Sequence, residues 1–313
     1  MEQTIVSAQL PVDETLEIRK NRITSGHGTT LGGKRLCIVT GTHGDELEGQ
    51  FVCWELNRTL RSHPEYLHGT VDIYPAVNPL GINTMTRGIP MFDLDMNRIF
   101  PGSENGAMAE YMAAGVIADI KGADVCIDIH ASNIYLRELP QVRVSEETAP
   151  ALLPLAKLLN VDFVWVHAAS TVLKSTLAHS LNAAGTPTLV VEMGVGMRIT
   201  EEYGHQLIAG ILNLMKRLGM WDGPAGQVRT PTISSDGKVS FINADASGVF
   251  LPSVGHSHEV EPGQQLGVIA DPMTGDTRQV LLCPARGILF TLREYPIVYE
   301  GSLIARVLGE VGA

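Results

Sequence analysis

Five apolar runs punctuate the first two thirds of the chain, at residues 35–41, 70–76, 124–130, 161–167 and 187–193. They are short and rich in branched aliphatic residues, the pattern of strands buried on both faces. Between them, segments 46–60, 106–120, 149–159, 174–184 and 198–218 carry apolar residues at the three- and four-residue spacing of a helix. Strand and helix signals in alternation predict an α/β three-layer sandwich, a mixed and mainly parallel sheet covered by helices on both faces. Residues 1–34 read as short strands and turns that close on Gly26-His27-Gly28 and Gly32-Gly33. The pattern changes at Trp221-Asp222-Gly223-Pro224-Ala225-Gly226. Beyond it helical spacing stops, and short strands recur between turns such as Glu261-Pro262-Gly263, Asp271-Pro272 and Thr274-Gly275-Asp276. The expected division is an α/β domain over residues 1–222 and an all-β domain over 223–313.

Chemistry gathers where three of these runs end. The run from Cys37 leads into Thr40-Gly41-Thr42-His43-Gly44-Asp45-Glu46, another ends Asp128-Ile129-His130, and a third ends Val190-Val191-Glu192. Open α/β sheets bind their ligands at the carboxyl ends of the strands. His43 and Glu46 are zinc ligand types, and their three-residue spacing lets both reach one cation where a strand meets a helix. An ionised Glu192 inside a buried strand is costly without a partner, which argues for a polar cavity or a buried ion pair. With His130, the set fits a His₂Glu zinc site with an open fourth position and a nearby carboxylate base.

Two arginines suit an anionic substrate. Arg98 follows Asn97 just before the turn at Phe100-Pro101-Gly102, and its planar fork matches a carboxylate. Arg87, in Met85-Thr86-Arg87-Gly88, is placed to stabilise charge on a carbonyl oxygen. The competing reading pairs either one with Asp93 or Asp95 on the surface. Residues 131–143 read as a polar pocket loop, with Asn133, Gln141 and Arg143 as further candidates.

In order along residues 35–220, His43-Gly44-Asp45-Glu46, Asp95-Met96-Asn97-Arg98-Ile99-Phe100-Pro101-Gly102, Asp128-Ile129-His130 and Val191-Glu192-Met193-Gly194 resemble the succinylglutamate desuccinylase/aspartoacylase family. That family is a branch of the zinc carboxypeptidase-like hydrolases. The resemblance implies zinc held by His43, Glu46 and His130, Glu192 activating the attacking water, and Asn97 and Arg98 holding a substrate carboxylate. Asp45 stands where members often have Asn. The implied reaction is hydrolysis of the amide of an N-acyl amino acid. Two alternatives stay open: a zinc carboxypeptidase acting on short peptides, and a non-catalytic metal-binding protein. The order of Gly248-Val249-Phe250, Val260-Glu261-Pro262-Gly263-Gln264, Gly267-Val268-Ile269-Ala270-Asp271, Pro284-Ala285-Arg286-Gly287 and Gly301-Ser302-Leu303 resembles a lipoyl/biotinyl-type barrel-sandwich module, whose carrier role needs a lysine on an exposed hairpin. The last lysine is Lys238, so a structural role or a wall of the active site is expected instead. His256-Ser257-His258-Glu259 reads as an exposed turn.

Composition narrows the partners. A formal charge of −11 over 313 residues offers no basic patch, so nucleic acid is not expected. An acidic protein that takes an anionic small molecule must concentrate positive charge locally, which favours buried arginines. There is no G-x-G-x-x-G after a strand and no G-x-S-x-G, which removes the dinucleotide and serine-hydrolase readings. Cys37, Cys126 and Cys283 fall in strand runs and Cys53 on a helix, a pattern of buried thiols in a reducing compartment. The first residues lack a signal-peptide layout, and no apolar stretch has the length of a membrane span. A cytoplasmic location, no membrane partner and a homo-oligomeric state are the expectations.

Overall fold

The computed structural model describes residues 1–25, 33–168, 174–235 and 239–309. Gly26-His27-Gly28, Gly32 and Lys238 lie outside the described residues. The chain opens with the hairpin β1 (Glu2–Gln9) and β2 (Thr15–Thr24). There follow β3 (Arg35–Val39), α1 (Glu48–Ser62), β4 (Thr70–Tyr74), α2 (Pro79–Thr84), α3 (Met108–Ile120), β5 (Val125–Ala131) and β6 (Leu136–Ser145). Next come α4 (Ala149–Ala156), β7 (Phe163–His167), α5 (Leu177–Ala183), β8 (Thr188–Gly194) and α6 (Glu201–Arg217). The strands lie in the order β1-β2-β4-β3-β5-β8-β6. Its centre, β4-β3-β5-β8, is parallel, while β2 and β6 flank that centre antiparallel.

Alternation along β3 shows how one sheet serves two cores. Leu36 and Ile38 pack with Val52, Leu56 and Leu60 of α1 and with Leu207 and Ile211 of α6. Cys37 and Val39 point to the other face, against Ala113, Val116 and Ile120 of α3 and Leu177 and Leu181 of α5. Each fully buried aliphatic side chain contributes about 1.5–3 kcal/mol relative to exposure. The result is helix, sheet and helix in three layers.

Two expectations need correction. Residues 136–143, read as part of a polar loop, lie in strand β6; only Ser132–Tyr135 remain a connection. Its charges read as loop because Arg306, Glu294 and Glu192, which pair with Glu138, Arg137 and Arg143, are distant in sequence. Helix α1 starts at Glu48 rather than Glu46, since Glu46 is turned into the site before the helix begins.

The C-terminal strands are β9 (Thr232–Ser235), β10 (Val239–Asn243), β11 (Gly248–Pro252), β12 (Glu259–Val260), β13 (Gln265–Ala270), β14 (Thr277–Leu282), β15 (Gly287–Arg293), β16 (Ile297–Val298) and β17 (Leu303–Gly309). Strand β9 pairs with β7. Strands β10, β17, β15 and β12 face the sheet β14-β13-β11-β16 across a core that includes Ile242, Phe250, Leu266, Ile269, Leu289 and Val307. This is an antiparallel β sandwich. Strand β15 also pairs with Leu136–Glu138 of β6, so its first sheet runs on into the α/β sheet. Phe290 and Leu308 seal the junction against Phe163 and Trp165. No helix of the described residues is long and apolar enough to cross a membrane.

Candidate active site

The site forms where β3, β5 and β8 end. After Val39 the chain turns sharply: Gly41 has φ +68°, and a Cβ there would meet the Pro75 carbonyl at 2.7 Å. Gly44 packs so closely on Gly81 of α2 that a Cβ would lie 1.9 Å from its carbonyl carbon. These two contacts seat the loop that buries His43 and Glu46. His130 lies on β5 and is level with Glu192 on β8 in the parallel register.

Glu46 is the hub. Its Oε1 lies 2.7 Å from His43 Nδ1, and its Oε2 lies 2.9 Å from His130 Nδ1. Ala131 N–H donates to the same Oε2 at 3.1 Å. Each imidazole turns its other nitrogen to an aspartate: His43 Nε2 is 2.9 Å from Asp95 Oδ1, and His130 Nε2 is 3.1 Å from Asp128 Oδ2. All three side chains are buried, with ligand atoms within 4.8 Å of one another. Burial pushes the Glu46 carboxyl up, but His130 and His43 outweigh it and hold the group well below the usual carboxylate range. His43 Nε2 is hydrogen-bonded to Asp95, which turns its Nδ1 to Glu46, whereas His130 is hydrogen-bonded to Glu46 through Nδ1 and its Nε2 faces Asp128 without a hydrogen bond. A cation between the two imidazoles and Glu46 satisfies that arrangement, and backing of ligand histidines by carboxylates is the usual support of such sites.

The triad opens on a cavity of about 560 Å³. Asn97, Arg98, Arg87, Arg143, Glu192, Glu138 and Arg306 are among the residues that line it. The Asn97 side-chain oxygen accepts from Leu177 N–H at 2.9 Å, tying this loop to α5. Arg98 donates to the Asn97 carbonyl at 2.8 Å and lies 3.9 Å from Asp95. Arg87 donates to Glu46 Oε1 at 2.8 Å and lies 3.5 Å from Asp95. The pairing of Arg87 with Asp95 is therefore real, but it comes with a bond to Glu46. The expectation of buried arginines fails for this pair, whose side chains are 41% and 43% exposed at the rim.

Glu192 is 16% exposed, and Arg143 Nη1 lies 3.3 Å from its Oε1. Burial pushes its carboxyl above the ordinary value, with Arg143 pulling the other way. Of the weaker candidates, Asn133 lines the cavity, while Gln141 is fully buried and donates to Glu138. The His256 segment is a mostly exposed turn whose His256 contacts the Phe290 carbonyl. Sequence reasoning missed Glu138 and Arg306 and gave Asp95 and Asp128 no role behind the histidines. A signal for Asp128 existed: two residues before His130 on a strand, it shares the same face.

The model of the succinylglutamate desuccinylase/aspartoacylase catalytic domain matches residues 32–218. The chain belongs to this family. An N-alpha-acetyl-L-2,4-diaminobutyric acid deacetylase of Halomonas elongata is 26% identical over 298 residues, covering 89% of this chain and 83% of its own. A crystal structure of a succinylglutamate desuccinylase/aspartoacylase from Rhodobacter sphaeroides superposes with a TM-score of 0.81 at 27% identity, covering 100% of this chain and 96% of that one. The product-bound ectoine utilization protein EutE (DoeB) from Ruegeria pomeroyi shares the fold, with a TM-score of 0.82 at 19% identity over 97% and 93% of the two chains. Family and relative together support a deacylating hydrolase. The family match ends at 218, before the β sandwich, whereas the solved structures cover both parts.

Proposed function

We propose that this protein is a zinc-dependent deacylase that hydrolyses the amide bond of an N-acyl amino acid. The observation that carries the reading is the pair of buried imidazoles that turn Nδ1 to one carboxylate and back Nε2 with aspartates, beside a cavity that Glu192 lines. His43, Glu46 and His130 would hold the zinc, which would supply Lewis acidity and make water more acidic. Arg98 and Asn97 receive the substrate carboxylate at the rim. Arg87, fixed by Glu46 and Asp95, keeps a positive charge beside the carbonyl oxygen. Glu192 takes the proton of the attacking water and returns it to the leaving amine. Its burial raises its proton affinity, which suits a group that must both accept and donate. We assign this chemistry to residues 1–222 and give residues 223–313 the role of a wall, since Arg306 of β17 lines the cavity.

The test is a substrate panel on zinc-loaded protein: Nα-acetyl-L-2,4-diaminobutyrate, N-acetyl-L-aspartate, N-succinyl-L-glutamate and dipeptides, with released carboxylic acid measured. Chelator-sensitive hydrolysis of at least one acyl amino acid is expected. Turnover of dipeptides alone would move the protein to the carboxypeptidases, and no turnover of any member would remove the enzyme reading.

A further inference from the structure

Arg143 is a charged group of the cavity that the proposed chemistry leaves unused. Its guanidinium faces two carboxylates at once, with Nη1 3.3 Å from Glu192 Oε1 and Nη2 donating to Glu138 Oε2 at 2.6 Å. It also lies over the Trp165 ring, 5.6 Å from the centroid. Glu138 is 2% exposed and fully engaged: Gln141 donates to Oε2 at 2.7 Å, and Arg306 donates to Oε1 at 2.7 Å. Arg306 comes from β17 and lies over the same Trp165 ring at 5.6 Å. A buried carboxylate is tolerated only when paired and hydrogen-bonded, so the two arginines are tied to Glu138. Two cations on one anion leave one positive charge over, and Glu192 neutralises it.

We infer that Arg143, held by Glu138, Arg306 and Trp165, is a positioning residue that fixes the orientation of Glu192. The guanidinium is a rigid plane, so holding Glu138 with one arm sets where the other arm meets Glu192. Oε1 of Glu192 is thereby anchored by its ion pair with Arg143, which leaves Oε2 for the proton. Arg306 extends the device into the β sandwich: the C-terminal strands reach the base through Glu138. Lysine in place of Arg143 keeps the charge but cannot hold both carboxylates in one plane.

This inference rests on Glu192 being the base, and the experiment separates the two. Arg143→Ala, Arg143→Lys, Glu192→Gln and the double variant Arg143→Ala/Glu192→Gln are compared, each zinc-loaded and checked for a native thermal transition. The substrate is the panel member that the wild-type protein turns over fastest. Both Arg143 variants should lower kcat by about 10²-fold, the scale of a small misplacement of a catalytic group. KM and calorimetric affinity for the amino-acid product should stay as in wild type. The double variant should be no slower than Glu192→Gln alone, because a positioning group has nothing left to position. Additive losses in the double variant, a loss carried by KM, or wild-type kcat in Arg143→Lys would each overturn the inference. Wild-type turnover in Glu192→Gln would instead overturn the assignment of the base.

Discussion

His43 Nδ1 lies 2.7 Å from Glu46 Oε1, yet it makes no hydrogen bond to it or to any other group among the described residues. A buried ring nitrogen that close to a carboxylate and misaligned for a shared proton has the geometry of two ligands of one ion. The second imidazole meets the other oxygen of the same carboxylate, His130 Nδ1 being hydrogen-bonded to Glu46 Oε2 at 2.9 Å. Behind the rings, Asp95 is hydrogen-bonded to His43 Nε2, and Asp128 Oδ2 lies 3.1 Å from His130 Nε2.

Metal content is the first consequence. His130→Ala should abolish stoichiometric zinc, read as metal per chain after dialysis. Asp128→Asn should keep the ligands but weaken zinc binding by roughly 10–100-fold, the usual effect of removing the carboxylate behind a ligand histidine. Full zinc retention in His130→Ala would mean that the third ligand is misassigned.

The rim arginines should separate kinetically. Arg98→Lys loses the planar fork but not the charge, so KM should rise with little change in kcat. Arg87→Ala should chiefly lower kcat, because the charge it meets develops in the transition state. Identical kinetics in both variants would leave them as surface ion pairs with Asp95.

Away from the site, Asp72 is fully buried and receives Arg22 at 2.7 Å, Arg35 at 2.8 Å and Lys20 at 3.3 Å. Burial raises its carboxyl, but the bonds from Arg22 and Arg35 prevail and lower it below the ordinary value. A carboxyl depressed in the folded state stabilises above its unfolded pKa of about 3.9 and loses that contribution as pH falls through the folded value. Asp72→Asn should therefore cost about 3–5 kcal/mol at neutral pH in denaturant unfolding. The gap to wild type should narrow below pH ~4. A constant gap across that range would show that the loss is packing rather than charge.

The ends of β3, β5 and β8 were legible because a polar residue closing an apolar strand has few places to go except a cavity. His43, His130 and Glu192 stand out for that reason, and the three structural ends converge. Strand β6 was not legible. Its Arg137, Glu138 and Arg143 look solvated, and Pro140 argues against a regular strand; the structure places Pro140 where the register against β8 shifts, between Glu138 and Gln141. Glu138 is neutralised partly by Arg306, 168 residues away, and no local pattern reveals such a partner. The start of α1 was misjudged by two residues, because helix spacing does not distinguish a first turn from a ligand loop.

The most direct test of the account is Glu192→Gln, measured for turnover and bound zinc in one preparation. Glutamine keeps the size and most of the hydrogen bonding of the side chain but cannot take the proton. The account predicts a fall in kcat of roughly 10²–10⁴-fold with zinc retained, the range for loss of general acid–base catalysis. Near-normal turnover with zinc bound would contradict it, and loss of zinc would make Glu192 a ligand instead of the base.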